Sequence, residues 1–387
     1  MNLRVALLLF TTGWGANHFS TLLVVYRKNL GLLPQALGIL FGAYALGLVP
    51  GLVLAGRVSD RRGRRAVVLP ASWLAIVASG VLAFGARGFG VLLVGRLLYG
   101  LATGSVMSPG SVWVQELSPS WAGARRATLA LSAGFGAGPL VSGLIAEFAP
   151  APMVWPYVLH AIAMAAACVA ARPVPETAPG VRAGAASASS HRRGLGRREW
   201  AVLAQWLPVA PWAFGFPAVT IAILPGLMRT HVTRLAIYSG LVIATTLAAG
   251  VAVQPFTRRL ARRGDLVGLG LGALGIFLAA HAVDAGSPAQ AFAVAILVGA
   301  GYGLVMTTGL LEISQRVSKE SRGAAVGIYY VMTYIGFALP FIHATVAAKL
   351  GDAPTLAIAG AATLGSVLVR AVIKSVLPPP ALEARVE

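Results

Sequence analysis

The chain has 387 residues, of which 57% are hydrophobic and 11% are charged, and its formal net charge is +19. Soluble domains carry about twice that share of charged residues, so this chain has too few charges to cover a surface exposed to water. The composition excludes an ordinary soluble enzyme and indicates a membrane protein whose positive charges lie in loops rather than in a nucleic-acid-binding surface.

Cysteine and histidine usage gives no support for a metal site or a cofactor. The single cysteine, Cys168, lies inside an apolar run and excludes an internal disulfide. No His and Cys residues share a metal-ligand spacing, and no Gly-rich phosphate loop occurs in the sequence. We therefore predict a chain without metal or cofactor, and we do not expect it to bind nucleic acid.

Twelve stretches of about 20 mostly apolar residues are each long enough to cross a bilayer as a helix. The runs are continuous rather than alternating, which favours helices over the strands of a membrane barrel. The sequence thus predicts an all-α membrane protein with twelve spans. Six precede residue 172, at 5–26, 37–55, 66–86, 91–114, 127–148 and 153–171, and six follow, at 201–228, 235–256, 266–283, 289–311, 324–347 and 355–376.

The residues between the sixth and seventh spans, 172–199, are rich in Pro, Gly, Ala, Ser and Arg and cannot form a core. We interpret them as a flexible cytoplasmic linker between two six-helix bundles, at 1–171 and 200–387. Internal similarity supports this division, because Pro139 in span five has a counterpart at Pro340 in span eleven. Repeated halves around a site at the membrane midplane are a transporter architecture.

Basic residues are strongly biased to one side of the predicted bundle. With the N-terminus inside, the inner segments hold 23 of the 31 Lys and Arg residues, and the outer loops hold 6. Because cytoplasmic loops carry the excess of basic residues, both termini are expected in the cytoplasm. We expect a multi-pass protein of the plasma membrane that is a monomer in the lipid bilayer.

The first span carries a polar stripe on an otherwise apolar helix. Thr11, Trp14, Asn17, His18 and Thr21 recur at spacings of three and four residues and therefore share one face. Lipid would penalise such a face, so we expect it to line a cavity. His18 would then contact substrate or carry a coupling proton, with Asn17 and Trp14 shaping the site. The alternative is a neutral histidine that is hydrogen-bonded to a neighbouring helix.

The loop after the second span reads Gly56-Arg57-Val58-Ser59-Asp60-Arg61-Arg62-Gly63-Arg64-Arg65. This order resembles the signature that the Major Facilitator Superfamily carries between its second and third helices, G-x-x-x-D-x-x-G-R-R/K. The resemblance implies a gate that latches the cytoplasmic side when the transporter opens outward, formed by Gly56, Asp60, Arg61, Gly63, Arg64 and Arg65. A solvated basic loop would account for the arginines, but not for one acidic residue between spaced glycines.

Span four holds a charge within an apolar helix, in the run Arg96-Leu97-Leu98-Tyr99-Gly100. The run is similar to the R-x-x-x-G motif of helix four in the same family. A charge inside a span is costly and is functional by default, so we predict a buried Arg96 rather than one that extends to the interface. His18, His160 in span six and Glu147 at the outer end of span five are the candidate proton carriers.

Span five contains the run Gly134-Phe135-Gly136-Ala137-Gly138-Pro139-Leu140-Val141-Ser142-Gly143. It looks like the family's G-x-x-x-G-P-x-x-G pattern, which is associated with antiporters. Small residues such as Gly134, Gly138 and Gly143 permit close helix packing, and Pro139 is predicted to bend the helix where gating needs a pliable point. Plain packing is the alternative interpretation.

Aromatic side chains predict the walls of a substrate cavity. The candidates are Tyr99, Trp212, Phe216, Tyr330 and Tyr334, together with the polar stripe of the first span. Aromatic walls suit amphipathic ligands, although packing or interfacial belts account for some of these residues. No acidic residue is predicted at mid-bilayer, which favours a neutral or anionic substrate.

These observations predict a secondary active transporter, not an enzyme, that works by rocker-switch alternating access. The span-five pattern favours proton-coupled efflux of a small organic molecule, and the alternative is uptake of a sugar or another metabolite by proton symport. The sequence shows neither the repeated filter of a channel nor the clustered reactive groups of an enzyme, and it has no loop long enough for a sensor domain. In the second half, the loop at 257–264 is a degenerate basic run that lacks the acidic residue of the family signature.

Overall fold

The computed structural model describes residues 2–119, 122–177, 195–260, 263–318 and 321–376. Within these ranges the regular structure is helical, and no strand is present. Continuous apolar runs form helices in a bilayer because a helix satisfies the backbone N–H and C=O groups within its own segment. The predicted all-α fold class is confirmed.

Six helices form the first half of the chain. They are α1 Asn2–Leu30, α2 Pro34–Arg62, α3 Arg64–Ala83, α4 Phe89–Glu116, α5 Gly123–Phe148 and α6 Trp155–Ala171. The chain reverses between α2 and α3 at the single residue Gly63. Its φ of 105° lies in the region that favours glycine, which explains why this position of the loop is a glycine.

Six helices also form the second half, and the first of them has two segments. They are α7a Arg197–Ala204, α7b Trp212–Leu227, α8 Leu235–Phe256, α9 Gly264–Asp284, α10 Gln290–Arg316, α11 Arg322–Leu350 and α12 Asp352–Val376. Each predicted span therefore has a helical counterpart in chain order.

The predicted continuous span at 201–228 is wrong in one respect, because α7 is broken. Turns at residues 205–211 separate α7a from α7b. Pro208 and Pro211 lie in this joint, and each lacks the backbone N–H that a continuing helix would need. The break turns a single helix into two segments with separately oriented faces.

Two further irregularities also lie next to prolines. A π-helical turn at Val219–Ile223 follows Pro217 inside α7b. In α11, which was predicted as a regular span at 324–347, a 3-10 segment at Ile335–Ala338 precedes Pro340. Such local changes of helical pitch alter which side chains face a neighbouring helix.

Nine helices in the described part of the chain, α2–α5 and α8–α12, are long and apolar enough to cross a membrane. α6 and α7b are apolar but shorter. α1 is long, with 29 residues, but the polar residues noted in its sequence lower its mean hydropathy. The architecture is the predicted twelve-helix membrane fold.

Each half packs around its own hydrophobic cluster. In the first half, α1 packs against α4, α5 and α6, and α2 packs against α4; in the second, α9 packs against α10 and α12. The halves meet where α5 contacts α8 and where α2 contacts α11. We name the membrane side of Gly63 the basic side, and the side of Gly31 and Gly88, where α1 turns into α2 and α3 into α4, the far side.

Two of the first residues of the predicted linker at 172–199, Val174 and Glu176, are fixed to the first bundle. Val174 is fully buried in the first hydrophobic cluster. The carboxylate of Glu176 accepts the backbone N–H groups of Arg64 at 2.8 Å and Arg65 at 2.9 Å, which caps the start of α3. The final residues begin α7a, and residues 178–194 lie outside the described part of the chain.

Candidate functional site

A cavity of about 430 Å³ lies between the two halves of the molecule. Its walls come from α1, α2, α4 and α5 on one side and from α7b, α8, α10 and α11 on the other. This volume lies within the range of small-molecule sites, and its position between repeated halves is where transporters bind their substrates.

The cavity reaches the basic side and is closed at the far side. The basic-side part of the cavity is lined by residues near the ends of α4, α5 and α8, namely Gln115, Ala124 and Gln254. At the opposite end the Phe41 ring packs against Phe337, with ring centroids 4.7 Å apart.

Further contacts between α2 and α11 complete the far-side closure. The Gln35 amide donates to the carbonyl of Ala344 at 3.1 Å. A Cβ atom at Gly38 would lie 2.7 Å from the backbone nitrogen of Phe341, so the two backbones touch directly. Only a residue without a side chain permits this approach, and the closed far side depends on it.

Aromatic rings line much of the cavity wall towards the far side. Only some of them are the aromatic residues that were predicted to do so. Tyr330 and Tyr334 line the cavity. Trp212 and Phe216 do not, because they lie on the face of α7b that packs into the second bundle. Phe216 is fully buried there, and Trp212 stacks on it with its Nε1–H donating to Ser366 Oγ at 2.9 Å.

Among the described residues, six further aromatic ones line the cavity and were not predicted from the sequence. They are Phe41, Tyr44, Phe135, Phe214, Tyr302 and Phe337. On α7b the cavity is lined by Phe214, Pro217 and Ile221, in the segment that follows the break in the helix. The signal that was available was the pair of prolines in the joint.

The polar stripe of α1 divides between several neighbours. Asn17 reaches the cavity, and Ser20, which was not part of the predicted stripe, joins it. Thr21 donates to the carbonyl of Pro139 at 3.0 Å, and Trp14 lies against Phe10 and His160, so neither lines the cavity. Residues spaced by three and four cover an arc of roughly 120° on a helix, which is wide enough to face three different helices.

His18 and Tyr99 are buried in the core of the first bundle and not at the cavity. The His18 ring lies edge-on to Tyr157 and His160, with centroid distances of 4.6 and 5.0 Å. Neither ring nitrogen of His18 has a hydrogen-bond partner among the described residues. Direct contact of His18 with a substrate in the cavity is therefore not what the geometry provides.

His160, by contrast, is fully hydrogen-bonded. Its Nε2 lies 3.0 Å from both the Tyr99 hydroxyl and the carbonyl of Thr11, and its Nδ1 lies 2.8 Å from the Ser79 hydroxyl. These contacts join α1, α3, α4 and α6. His160 thus connects four helices of the first bundle.

Arg96 is buried, with 1% of its surface exposed. Its Nε–H donates to the carbonyl of Leu40 at 3.1 Å, and its guanidinium carbon lies 4.3 Å and 4.6 Å from the ring centroids of Phe19 and Tyr44. Arg96 also lines the closed end of the cavity. Glu147 is not part of this group, since it lies one residue before the far-side end of α5.

The loop residues form an ion-pair cluster at the basic side. Arg64 bonds to the carboxylate of Asp60, to Ser59 Oγ at 3.0 Å and to Glu116 at 3.4 Å. The Asp60 side chain is 66% exposed, and Arg61 and Arg65 point to solvent. Among the described residues, all partners of the Arg64 side chain belong to the first half, so these bonds do not join the two halves in this structure.

A second charged cluster at the basic side was not predicted. Arg370 of α12 is fully buried and bonds to Asp265 of α9 at 2.7 Å and to Glu312 of α10, while Lys374 also bonds to Asp265. Arg316 pairs with Glu312 at 2.7 Å. The available signals were an arginine inside the last span and an acidic residue directly after the degenerate loop at 257–264.

The glycines of α5 pack against two different helices. A Cβ atom at Gly134 would lie 2.0 Å from the carbonyl oxygen of Phe10 in α1, and one at Gly138 would lie 2.3 Å from that of Trp14. Gly143 instead faces Ala236 of α8, across the boundary between the halves. α5 is one unbroken α-helix through Pro139, so no helical break accompanies the bend that was predicted at this residue.

Among the described residues, no group of three or more His, Cys, Asp and Glu side chains is placed to hold a metal ion. The polar groups that line the cavity are hydroxyls, amides and one arginine. Groups of this kind can hydrogen-bond to an organic ligand and orient it.

Comparison with known proteins places this geometry in a family. A family model described as Major Facilitator Superfamily matches residues 5–340. The quinolone resistance protein NorA of Staphylococcus aureus is 30% identical over 128 residues, which are 32% of this chain and 33% of that protein. The glucose transporter GlcP of Staphylococcus epidermidis is 29% identical over 108 residues, 28% of this chain and 24% of that protein. The chain thus matches about a third or less of the length of these relatives.

Solved structures share the whole architecture. The nucleoside transporter NupG has a TM-score of 0.76 at 12% identity, covering 97% of this chain and 99% of that one. A mutant peptide transporter POT in complex with alafosfalin has a TM-score of 0.79 at 16% identity, covering 97% and 94%. At such low identity the likeness concerns the fold alone.

Proposed function

The chain belongs to the Major Facilitator Superfamily, and we propose that it is a secondary active transporter that exports a small organic molecule in exchange for protons. The cavity between the halves is the observation on which the proposal rests, because it reaches the basic side and ends beneath a packed far side. Alternating access requires a site open to one side at a time, whereas a site open to both would conduct as a channel.

We propose that residues 1–171 and 200–387 rock as two bodies about the segment 172–199. The basic side is assigned to the cytoplasm of a cell whose plasma membrane holds the protein as a monomer, with both termini inside, because the basic residues concentrate there. In this orientation the cavity faces the cytoplasm, from which an exporter takes its substrate.

In the same proposal the cluster of Asp60, Arg64 and Glu116 is the gate of the cytoplasmic side. In the present state its ion pairs lie within the first half. When the halves close at this side, the exposed face of Asp60 becomes available to helices of the second half. An exposed ion pair contributes only about 1 kcal/mol or less to stability, so Asp60 is free to exchange partners at small cost.

Export of an amphipathic molecule is favoured by the walls of the cavity. Tyr302, Tyr330 and Tyr334 present rings with hydroxyl groups, and Phe41 and Phe337 present apolar rings. Such walls suit ring-bearing ligands. The relative named for quinolone resistance is consistent with this class of substrate.

Uptake of a sugar by proton symport is the second candidate, and the glucose transporter among the relatives favours it. Sugar recognition uses many hydrogen-bonding groups, and the cavity offers several, including Asn17, Gln115, Thr128 and Gln254. The two candidates differ in direction, and the proton gradient separates them.

Cellular accumulation with and without a protonophore tests both candidates. Cells that make the protein should accumulate less of the fluorescent quinolone norfloxacin than control cells, and the protonophore should abolish the difference. Proton-coupled uptake predicts instead a higher accumulation of radiolabelled glucose, which the protonophore lowers.

Two neighbouring substitutions in α5 provide a matched control. Thr128→Trp fills the cavity that Thr128 lines, whereas Leu129→Trp places the same side chain on an exposed position outside it. Only Thr128→Trp should abolish transport. Equal accumulation in cells with the parent and with Thr128→Trp, for both probes, would reject transport through this cavity, and flux that rises linearly without saturation would indicate a channel.

A further inference from the structure

The described lining of the central cavity contains one formal charge. Arg96 stands at the closed far end, while the other polar lining residues, such as Asn17, Ser132, Gln254 and Thr307, are neutral. No Asp or Glu is among the described residues that line it. The closed end of the cavity is therefore electropositive.

The hydrogen-bonding capacity of Arg96 is only partly used. Nε donates to the carbonyl of Leu40 at 3.1 Å, and Nη2 makes a long contact of 3.5 Å with the carbonyl of Phe41. Nη1 is buried and has no partner among the described residues. The hydroxyl of Tyr44, whose ring lies beside the guanidinium, is also buried, and no described residue lies in hydrogen-bond geometry to it.

The two buried arginines among the described residues, Arg96 and Arg370, differ in whether a carboxylate pairs with them. Arg370 is equally buried, and the chain supplies it with the carboxylates of Asp265 and Glu312. Arg96 receives two backbone carbonyls and the faces of Phe19 and Tyr44, and no carboxylate of the described residues pairs with it. Buried charges in proteins are normally paired, because an unpaired one loses its hydration without compensation.

The difference between the two arginines matches their positions. Arg370 lies in a packed cluster between α9, α10 and α12 and does not line the central cavity. Arg96 lines a cavity with room for a small molecule. A ligand bound in this cavity would therefore be placed to supply a counter-ion to Arg96.

We propose that the central cavity binds aromatic carboxylates, with the carboxylate group on Arg96 and the Tyr44 hydroxyl and the ring system between the aromatic walls. A carboxylate matches the guanidinium because it accepts two parallel hydrogen bonds and supplies the opposite charge. The rings of Phe41, Tyr334 and Phe337 line the same end of the cavity and would hold the aromatic part. This inference rests on the proposed function, since it names the substrate class of the transport cavity.

Equilibrium binding to the protein in lipid nanodiscs, without any gradient, tests the inference. The probes are two acids, 1-naphthoate and nalidixate, each paired with its neutral primary amide, which has nearly the same shape. The parent should bind each acid at least 10-fold more tightly than its amide, because an ion pair shielded from water contributes more than a neutral hydrogen bond.

Three substitutions assign the preference to its source. Arg96→Gln should remove the preference for the acid and leave the affinity for the amide unchanged, which also shows that the site is intact. Arg96→Lys should retain a reduced preference, because it keeps the charge but loses the fork. Arg87→Gln, which removes an exposed arginine outside the cavity, should bind like the parent.

Each outcome supports or overturns the inference. Equal binding of acids and amides by the parent, survival of the preference in Arg96→Gln, or no binding of either acid would overturn it. Gradient-driven transport together with no preference for acids rejects the inference and leaves the proposed function standing. Tight binding of acids by a protein that shows no flux in cells rejects the proposed function and leaves the inference standing.

Discussion

Two histidines in the first bundle have the same chemistry and different surroundings. The rings of His18 and His160 are 5.0 Å apart, and both are fully buried. His160 bonds to Thr11, Ser79 and Tyr99, whereas His18 has no partner among the described residues. A buried polar group gains stability only through its hydrogen bonds, so the two residues should contribute differently to the fold.

We expect His160→Leu to destabilise the protein by about 1–3 kcal/mol, because it leaves the Tyr99 and Ser79 hydroxyls without this partner. His18→Leu should change stability by less than about 1 kcal/mol, since an apolar side chain of similar volume replaces an unpaired polar one. Thermal unfolding in detergent can be followed with a thiol-reactive dye, because the single cysteine, Cys168, is buried until the protein unfolds.

The same pair of variants also decides whether His18 has a role in coupling. Retained proton-driven transport in His18→Leu would assign it to packing, and loss of gradient-driven transport with substrate exchange intact would make it a proton carrier. A large loss of stability in His18→Leu would contradict the expectation and indicate a partner, such as an ordered water, that bonds to its ring nitrogens.

At the scale of the helix, α5 shows how glycines set the distance between two helices. Gly134 and Gly138 lie against the backbone of α1, whereas Gly136, between them in sequence, faces open space. Two residues along a helix correspond to a rotation of about 200°, so Gly136 points away from α1. Of these three glycines, only Gly134 and Gly138 therefore serve the packing of α5 against α1.

We expect Gly134→Ala to destabilise the protein by about 1–3 kcal/mol, because the added Cβ would lie 2.0 Å from the Phe10 carbonyl oxygen and force α1 and α5 apart. Gly136→Ala is the matched control and should be neutral or stabilising by up to about 1 kcal/mol, through helix propensity alone. The thiol-dye unfolding assay measures both.

The opposite order, with Gly136→Ala the more damaging variant, would contradict this packing of α5 on α1. Transport measurements on Gly134→Ala add a second readout. Altered transport rates at a temperature where the variant is fully folded would indicate that the α1–α5 spacing also affects gating.

At the scale of the whole molecule, closure of the far side depends on contacts between the halves. Gly38 of α2 touches the backbone at Phe341 of α11, and Gln35 bonds to Ala344 one turn beyond. Gly42, one turn from Gly38, has only an ordinary contact, since an added Cβ would lie 3.5 Å from the Phe337 carbonyl oxygen. Interference at Gly38 should therefore act on the equilibrium between states rather than on the fold of either half.

We predict that Gly38→Ala shifts the protein towards a state open at the far side. A destabilisation of the closed state by about 1.4 kcal/mol would change the ratio of states tenfold. Reporter cysteines at Ala344, for the far side, and at Gln254, for the cavity mouth, are introduced into a Cys168→Ser background and labelled with a membrane-impermeant maleimide. Labelling at Ala344 should rise and labelling at Gln254 should fall.

Gly42→Ala is the control and should leave both labelling rates unchanged. Asp60→Asn should act in the opposite direction to Gly38→Ala, because a weakened gate on the basic side favours the state that is open there. Unchanged labelling in Gly38→Ala would show that the contact with Phe341 does not hold the far side closed, and unchanged labelling in Asp60→Asn would reject the gate.

The sequence by itself determined the number and order of the helices. Apolar runs of about 20 residues, interrupted by glycines and basic loops, have one solution in a bilayer, because each helix satisfies its own backbone. The run from Gly56 to Arg65 indicated the family from the sequence alone, because all residues of this motif lie within ten consecutive positions of the chain. The prolines at 208 and 211 were a sequence signal for the break in α7. Hydropathy alone predicts a single span there.

Only the tertiary structure decided which side chains line the cavity. Periodicity places His18, Asn17 and Thr21 on one broad face of α1, but the neighbours at different angles turn them towards α6, the cavity and α5 respectively. The pairing of Arg370 with Asp265, 105 residues away in the chain, likewise depends on how the helices assemble. The same is true of Arg96, for which the described residues supply no carboxylate. Contacts between distant residues are fixed by packing in three dimensions, and a linear pattern of hydrophobicity and spacing carries no record of them.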